Sequence, residues 1–180
     1  MMKAVLHKSR RKAKAVAIDK KYLSLNDVNK LYERAKNRAS LACFIAVITA
    51  SRIDSIINCR FKIKEHNDTS FQVQFVTTKT VAHNILVANR FKELFKRYIV
   101  SAQKISYKDI LTYCKENYYT GTHILRRSSA YLLEASKKFS SDDIRLYGNW
   151  SMTKNTLATA YLRDNTYQRI SEFWKEAIRE

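Results

Sequence analysis

The sequence predicts a mainly helical α+β fold, a helical body carrying one small three-stranded antiparallel sheet. Three observations lead there. The 180-residue chain holds two glycines and no proline, and a sequence so short of breakers favours helices. Most apolar residues recur at helical spacing. Between residues 60 and 88 the period changes from 3.6 to 2, and turn-forming clusters separate the alternating runs. At roughly 150 residues per domain the length suits one domain with a proper core.

The elements follow in order. Residues 1–24 read as a basic arm or linker, with Lys3, Lys8, Arg10, Arg11, Lys12, Lys14 and Lys20 among few large apolar residues. Such a run is a solvated arm, or one that lies on a phosphate backbone with Arg10, Arg11 and Lys12 as contacts. The globular part is expected over 25–180. Ser24 with Asp27 three residues on is a helix start signal. The spacing predicts a helix over 25–37 with Leu25, Val28, Leu31, Tyr32 and Ala35 on one face. The apolar stretch from Leu41 to Ile48 is a buried helix by length. Strands are expected over 60–65, 71–77 and 81–88, joined at His66–Ser70 and Thr77–Thr80. Helices are expected over 90–99, 106–116, 122–138, 141–147, 154–163 and 167–178. Ser141 before Asp142 reads as an N-cap and Gly148 as the C′ glycine of the same helix. The stretch 167–180 is amphipathic through Ile170, Phe173, Trp174, Ala177 and Ile178. That face packs on its own core or docks on a neighbouring copy.

Charge narrows the partners. The 34 Lys+Arg against 16 Asp+Glu give a formal net charge of +18, the pI is about 9.9 and the mean hydropathy is −0.42. That balance points to a polyanion, with nucleic acid ahead of an acidic membrane surface. No apolar run approaches the ~18–20 residues of a membrane span. The basic N-terminus has no apolar core for a secretory signal. Cys43, Cys59 and Cys114 are an odd, scattered set, which argues against disulfides or a zinc site and suits a reducing, intracellular compartment.

Five pieces carry chemistry. Arg52 follows the most apolar segment. Lys79 sits on the tight connection between two strands. In Thr122-His123-Ile124-Leu125-Arg126-Arg127-Ser128, His123 and Arg126 share a helix face at i, i+3, with Leu125, Ser129 and Leu132 turned toward a core. Gly121 precedes His123, as if backbone clearance were needed there. Gly148-Asn149-Trp150-Ser151 places an indole after the second glycine, and Tyr161-Leu162-Arg163 supplies a phenol. Each piece alone has an ordinary structural explanation. Together they offer two planar cations to bracket a phosphodiester, an ammonium and an imidazole for proton transfer, and a phenol as nucleophile. No acidic cluster suited to Mg²⁺ stands among them.

This order of Arg, Lys on a hairpin, His-x-x-Arg, Gly-x-Trp and Tyr resembles the catalytic domain of the tyrosine recombinases, the lambda-integrase family, over roughly 25–180. The segment His123–Ser128 resembles the family's His-x-Leu-Arg box. Thr78-Lys79-Thr80 and Gly148–Ser151 are similar to the Flp-type branch, and Tyr161–Arg163 to the Cre-type branch. The resemblance implies DNA cutting and rejoining through a 3′-phosphotyrosine. Tyr161 would be the nucleophile, Arg52 and Arg126 the clamp, Lys79 the general acid and His123 an assisting group. Trp150 would pack against the site and donate its N–H, and Arg127 would contact DNA. It implies double-stranded DNA as partner, homodimers or tetramers on DNA, and neither metal nor nucleotide cofactor. Two departures stand out. Ser55 occupies the position where the family has an acid, with Asp54 one residue earlier. Trp150 to Tyr161 spans 11 residues, between the spacings of the two branches, and Tyr167 is the fallback nucleophile. Type IB topoisomerase chemistry and a non-catalytic DNA-binding protein of the same fold are the alternatives.

Overall fold

A computed structural model describes residues 21–76, 83–101, 105–150 and 158–179, the last segment without the side chains of 158–164. Helix α1 (Leu25–Glu33) opens on a reciprocal capping box in which Ser24 and Asp27 satisfy each other's backbone N–H groups. It stops four residues earlier than the periodicity suggests, because Asn37 caps the next helix, α2 (Arg38–Ile48), by accepting from the Ser40 N–H. Leu25 is 38 % exposed rather than part of the inward face, while Val28, Leu31 and Ala35 are buried.

Helix α2 is the centre of the molecule. Every residue from Ser40 to Ile48 is buried, and α1 and the helices Lys92–Val100, Tyr107–Tyr118 and His123–Ala135 all pack on it. Its apolar surface goes all round because neighbours surround it. A tight turn leads from α2 into the short helix α3 (Ile53–Ile57).

The three strands follow as expected, with the expected turn at Thr77–Thr80 and residues 81–82 lying outside the described residues. Strands β1 (Phe61–Glu65), β2 (Ser70–Phe75) and β3 (His83–Ala88) pair antiparallel in the order β1-β2-β3. Val73 stands opposite Ile63 and Ile85, and Gln74 opposite Lys62 and Asn84. One face therefore carries Phe61, Phe71, Phe75, Val73, Ile85 and Val87 into the core, and period 2 puts the lysines and glutamines on the other. A 3₁₀ turn (Asn89–Phe91) leads to α4 (Lys92–Val100), then α5 (Tyr107–Tyr118), α6 (His123–Ala135), α7 (Ser141–Tyr147) and α8 (Ala158–Ala177).

Three details differ from the sequence reading. The N-cap of α7 is Ser140, which forms a capping box with Asp143; Ser141 is already inside the helix. Gly148 has a right-handed φ of −78°, and Asn149 takes the left-handed position at 51°. The expected pair of C-terminal helices is one continuous helix of 20 residues. Thr166 lies within it, buried, its hydroxyl donating to Asp143 at 2.8 Å. The apolar face of the 167–178 stretch is consumed within the chain: Ile170, Phe173, Trp174 and Ile178 are buried, and α8 packs against β3 and α7. Arg90 donates to the carbonyls of Lys175 and Ile178 at 2.7 and 3.0 Å, satisfying orphan acceptors at the end of α8. No helix among the described residues is long and apolar enough to cross a membrane.

Candidate functional site

Arg52, His123, Arg126, Arg127 and Trp150 line one cleft of about 680 Å³, together with Ser51, Ile53, Asp54, Tyr107, Thr122 and Asn149. Four of the six residues that the sequence singles out for chemistry thus meet in one place. The cleft lies where α3 and α6 begin and α7 ends.

Each side chain is delivered by a helix end. The α2–α3 turn is a Schellman-type reversal: the Ser51 N–H reaches the Ala46 carbonyl at 3.1 Å, with Ala50 left-handed at φ 50°. Arg52 then occupies the N-cap of α3, exposed, with no side-chain cap bond. The α7 end repeats the device. The Trp150 N–H reaches the Arg145 carbonyl at 3.0 Å, with Asn149 left-handed. Two non-glycine residues in this costly region stand directly beside the cleft.

Helix α6 supplies His123 on its first turn and Arg126 one turn on, while Ile124, Leu125, Ser128, Ser129 and Leu132 are buried on its other side. Thr122 precedes the helix but does not cap it, its hydroxyl pairing instead with that of Tyr107 at 3.2 Å. The first turn of α6 holds no acid, so no side chain of that turn offsets the positive end of the helix dipole at the cleft.

Arg126 is the electrostatic centre. One Nη donates to the Gly148 carbonyl at 2.5 Å, and the guanidinium lies 4.7 Å from the centre of the Trp150 ring. Its Nε is buried and finds no acceptor among the described residues. Burial, with a smaller push from Arg52, lowers its pKa from the usual arginine value to about 10. The Trp150 ring closes over Gly148 so tightly that a Cβ there would stand 1.8 Å from it. Gly148 is therefore required for close approach rather than for left-handed backbone. A Cβ at Gly121 would meet nothing within 4 Å, which removes the expected clearance role from that glycine.

Other expectations divide. Asp54, not Ser55, lines the cleft; Ser55 is half-buried and its N–H returns to the Arg52 carbonyl at 3.0 Å. Tyr167 is 5 % exposed and donates to the Leu146 carbonyl at 3.3 Å, so its hydroxyl is spent inside the fold. Tyr161 stands on α8 with its side chain outside the described residues, and Lys79, Arg10, Arg11 and Lys12 lie outside them altogether. Tyr107 and Asn149 escaped the sequence reading. The signal for Tyr107 was the Ser106/Asp109 capping box, which sets it on the first turn of α5. No cluster of three metal-ligating side chains forms among the described residues. Compared with protein-family models, curated proteins and solved structures, the chain matches none of them.

Proposed function

We propose that this chain cuts and rejoins DNA strands through a 3′-phosphotyrosyl intermediate, as a tyrosine recombinase or integrase does. One observation carries the reading. A guanidinium whose buried Nε–H has no acceptor among the described residues, its charge opposed by a second arginine, shares a cleft with an imidazole and a helix N-terminus. Such an arrangement is costly until an anion enters it, and a phosphodiester presents two non-bridging oxygens to paired guanidiniums.

In this mechanism the Tyr161 oxygen attacks the scissile phosphorus as its proton is lost. Arg52 and Arg126 hold the non-bridging oxygens while negative charge builds on them. The bond from phosphorus to the 5′ oxygen breaks, and Lys79 protonates that oxygen. His123 donates a hydrogen bond or relays the tyrosine proton. Trp150 keeps the Arg126 guanidinium oriented. The 5′-hydroxyl of the same or another strand then attacks the phosphotyrosine and releases Tyr161. The phosphotyrosine conserves the bond energy, so rejoining needs neither a nucleotide nor a metal. The working partner is double-stranded DNA, on which copies of the chain assemble as dimers or tetramers, and the basic segment 1–24 adds phosphate contacts through Arg10, Arg11 and Lys12.

The test separates binding from cutting on nicked duplex DNA in EDTA. Arg126→Ala and Tyr161→Phe should each abolish strand cleavage and leave DNA affinity within about tenfold of wild type. Tight, salt-sensitive binding with no cleavage by wild type would favour the non-catalytic DNA-binding reading. Relaxation of supercoiled plasmid without strand exchange would favour the topoisomerase.

A further inference from the structure

We propose that Tyr147 and Tyr167 are positioning residues of the cleft, a buried tyrosine pair that ties the turns bearing Arg52 and Trp150 to the helix bearing Tyr161. The proposal rests on the reading of the cleft as a phosphodiester site.

A buried phenol is an apolar ring with one polar atom that must find a partner. Tyr147 ends α7 and is fully buried; its hydroxyl donates to the carbonyl of Ile48, the last residue of α2. A helix end leaves such carbonyls without their own donors. The turn after α2 spends its amides elsewhere, Thr49 on Ile45, Ala50 on Val47 and Ser51 on Ala46. The Tyr147 hydroxyl therefore holds the end of α2 four residues before Arg52. Immediately after Tyr147 come Gly148, whose carbonyl holds Arg126, and the turn to Trp150.

Tyr167 extends the link. Its ring meets that of Tyr147 edge-on at 5.8 Å, and its hydroxyl donates to the Leu146 carbonyl, on the last turn of α7. It stands six residues beyond Tyr161 on α8. Its ring also meets His83, the first residue of β3, edge-on at 6.4 Å, and residue 83 is four positions after Lys79. The two phenols thus join α7 and α8 to each other and touch the ends of α2, α7 and β3. A phenylalanine would fill the same volume; the hydroxyls add directional bonds between helix ends that apolar packing does not supply. Burial drives the Tyr147 pKa upward, so its hydroxyl keeps its proton and remains a donor.

The experiment compares Tyr147→Phe, Tyr167→Phe and, as a control, Ser40→Ala. The control removes another buried hydroxyl-to-carbonyl bond, Ser40 to Leu31 at 2.9 Å, at the far end of α2. Two readouts are taken by NMR on the full chain. One is amide hydrogen exchange. The other is affinity for inorganic sulfate, followed at the Trp150 indole N–H, one of two in the chain. Tyr147→Phe should raise exchange of the Ser51 and Trp150 amides together by tenfold or more and lower sulfate affinity at least fivefold. Tyr167→Phe should raise exchange at Trp150 and spare Ser51. Ser40→Ala should leave both amides and the sulfate affinity unchanged. Sulfate affinity that survives Tyr147→Phe, or falls equally in Ser40→Ala, would overturn the positioning role, as would exchange rising uniformly through the fold. If wild type takes up no sulfate, the phosphodiester reading fails on its own. The exchange pattern then still decides whether Tyr147 couples the two turns.

Discussion

Arg126 and Gly148 are bound to each other twice over. The guanidinium donates to the Gly148 carbonyl at 2.5 Å, and the indole stacked near that guanidinium closes onto the Gly148 Cα. The absence of a side chain at residue 148 is thus a condition for the cation's placement. Gly148→Ala must displace the Trp150 ring, whose nearest atoms would lie 1.8–2.4 Å from the new Cβ. The expected cost is about 1–3 kcal/mol of stability, with loss of sulfate binding in the cleft. Gly121→Ala meets open space at the same cleft's edge and should be neutral or stabilising by up to ~1 kcal/mol. Urea unfolding of both variants checks the contrast.

The lowered pKa of Arg126, about 10, makes two predictions of opposite sign. Below pH 9 the group is charged in both folded and unfolded chains. As pH rises through 10 the folded state releases the proton first, so the unfolded state binds more protons and stability increases with pH. Over the same interval the cleft loses a cation and its affinity for sulfate, whose own charge stays constant, falls. Tyrosines and lysines titrate nearby in pH, so Arg126→Gln is the reference: it should bind sulfate weakly and lack the step near pH 10.

Arg127 is exposed on the rim of the cleft and is read as a phosphate contact. If about six phosphates are neutralised, log K should fall with log[salt] at a slope near −5. Arg127→Ala should make that slope shallower by about 1 and weaken binding to all sequences alike. An unchanged slope would remove Arg127 from the interface.

Helix ends give a stability test independent of function. Lys137, exposed after α6, has φ 57°, a conformation that glycine adopts at no steric cost. Lys137→Gly should stabilise by about 0.5–1 kcal/mol. Ser140→Ala removes the α7 capping box and should cost about 1 kcal/mol, whereas Ser141→Ala should cost far less.

These ends also explain what was legible in the sequence. The sheet was, because Phe71, Val73 and Phe75 alternate with glutamines between two turn clusters, and period 2 has one reading. The Ser24 cap was, because a capping box is a local pattern. The shape of α8 was not. The polar triplet Asp164-Asn165-Thr166 reads as an interruption, but the Thr166 bond to Asp143 and the buried Tyr167 and Ile170 are tertiary facts. Gly148 looked like a helix terminator, since its indole neighbour's close approach has no local signature. Within the cleft, the motif order pointed to Arg52, His123, Arg126 and Trp150. Tyr107 comes from a distant segment: the Ser106/Asp109 capping box marks it as a helix start, but that local pattern does not say which cleft the helix start meets.

The central claim is that Tyr161 forms a covalent bond to DNA phosphate. The direct measurement is to incubate the chain in EDTA with a pool of nicked duplexes of randomised sequence, quench in SDS, and digest the linked product with nuclease and trypsin. Cleavage after Lys154, Arg163 and Arg169 separates Tyr161, in peptide 155–163, from Tyr167, in peptide 164–169. Mass spectrometry should find the nucleotide on peptide 155–163, and Tyr161→Phe should abolish the adduct. A nucleotide on any other peptide, or no adduct from wild type alongside salt-sensitive DNA binding, would contradict the account.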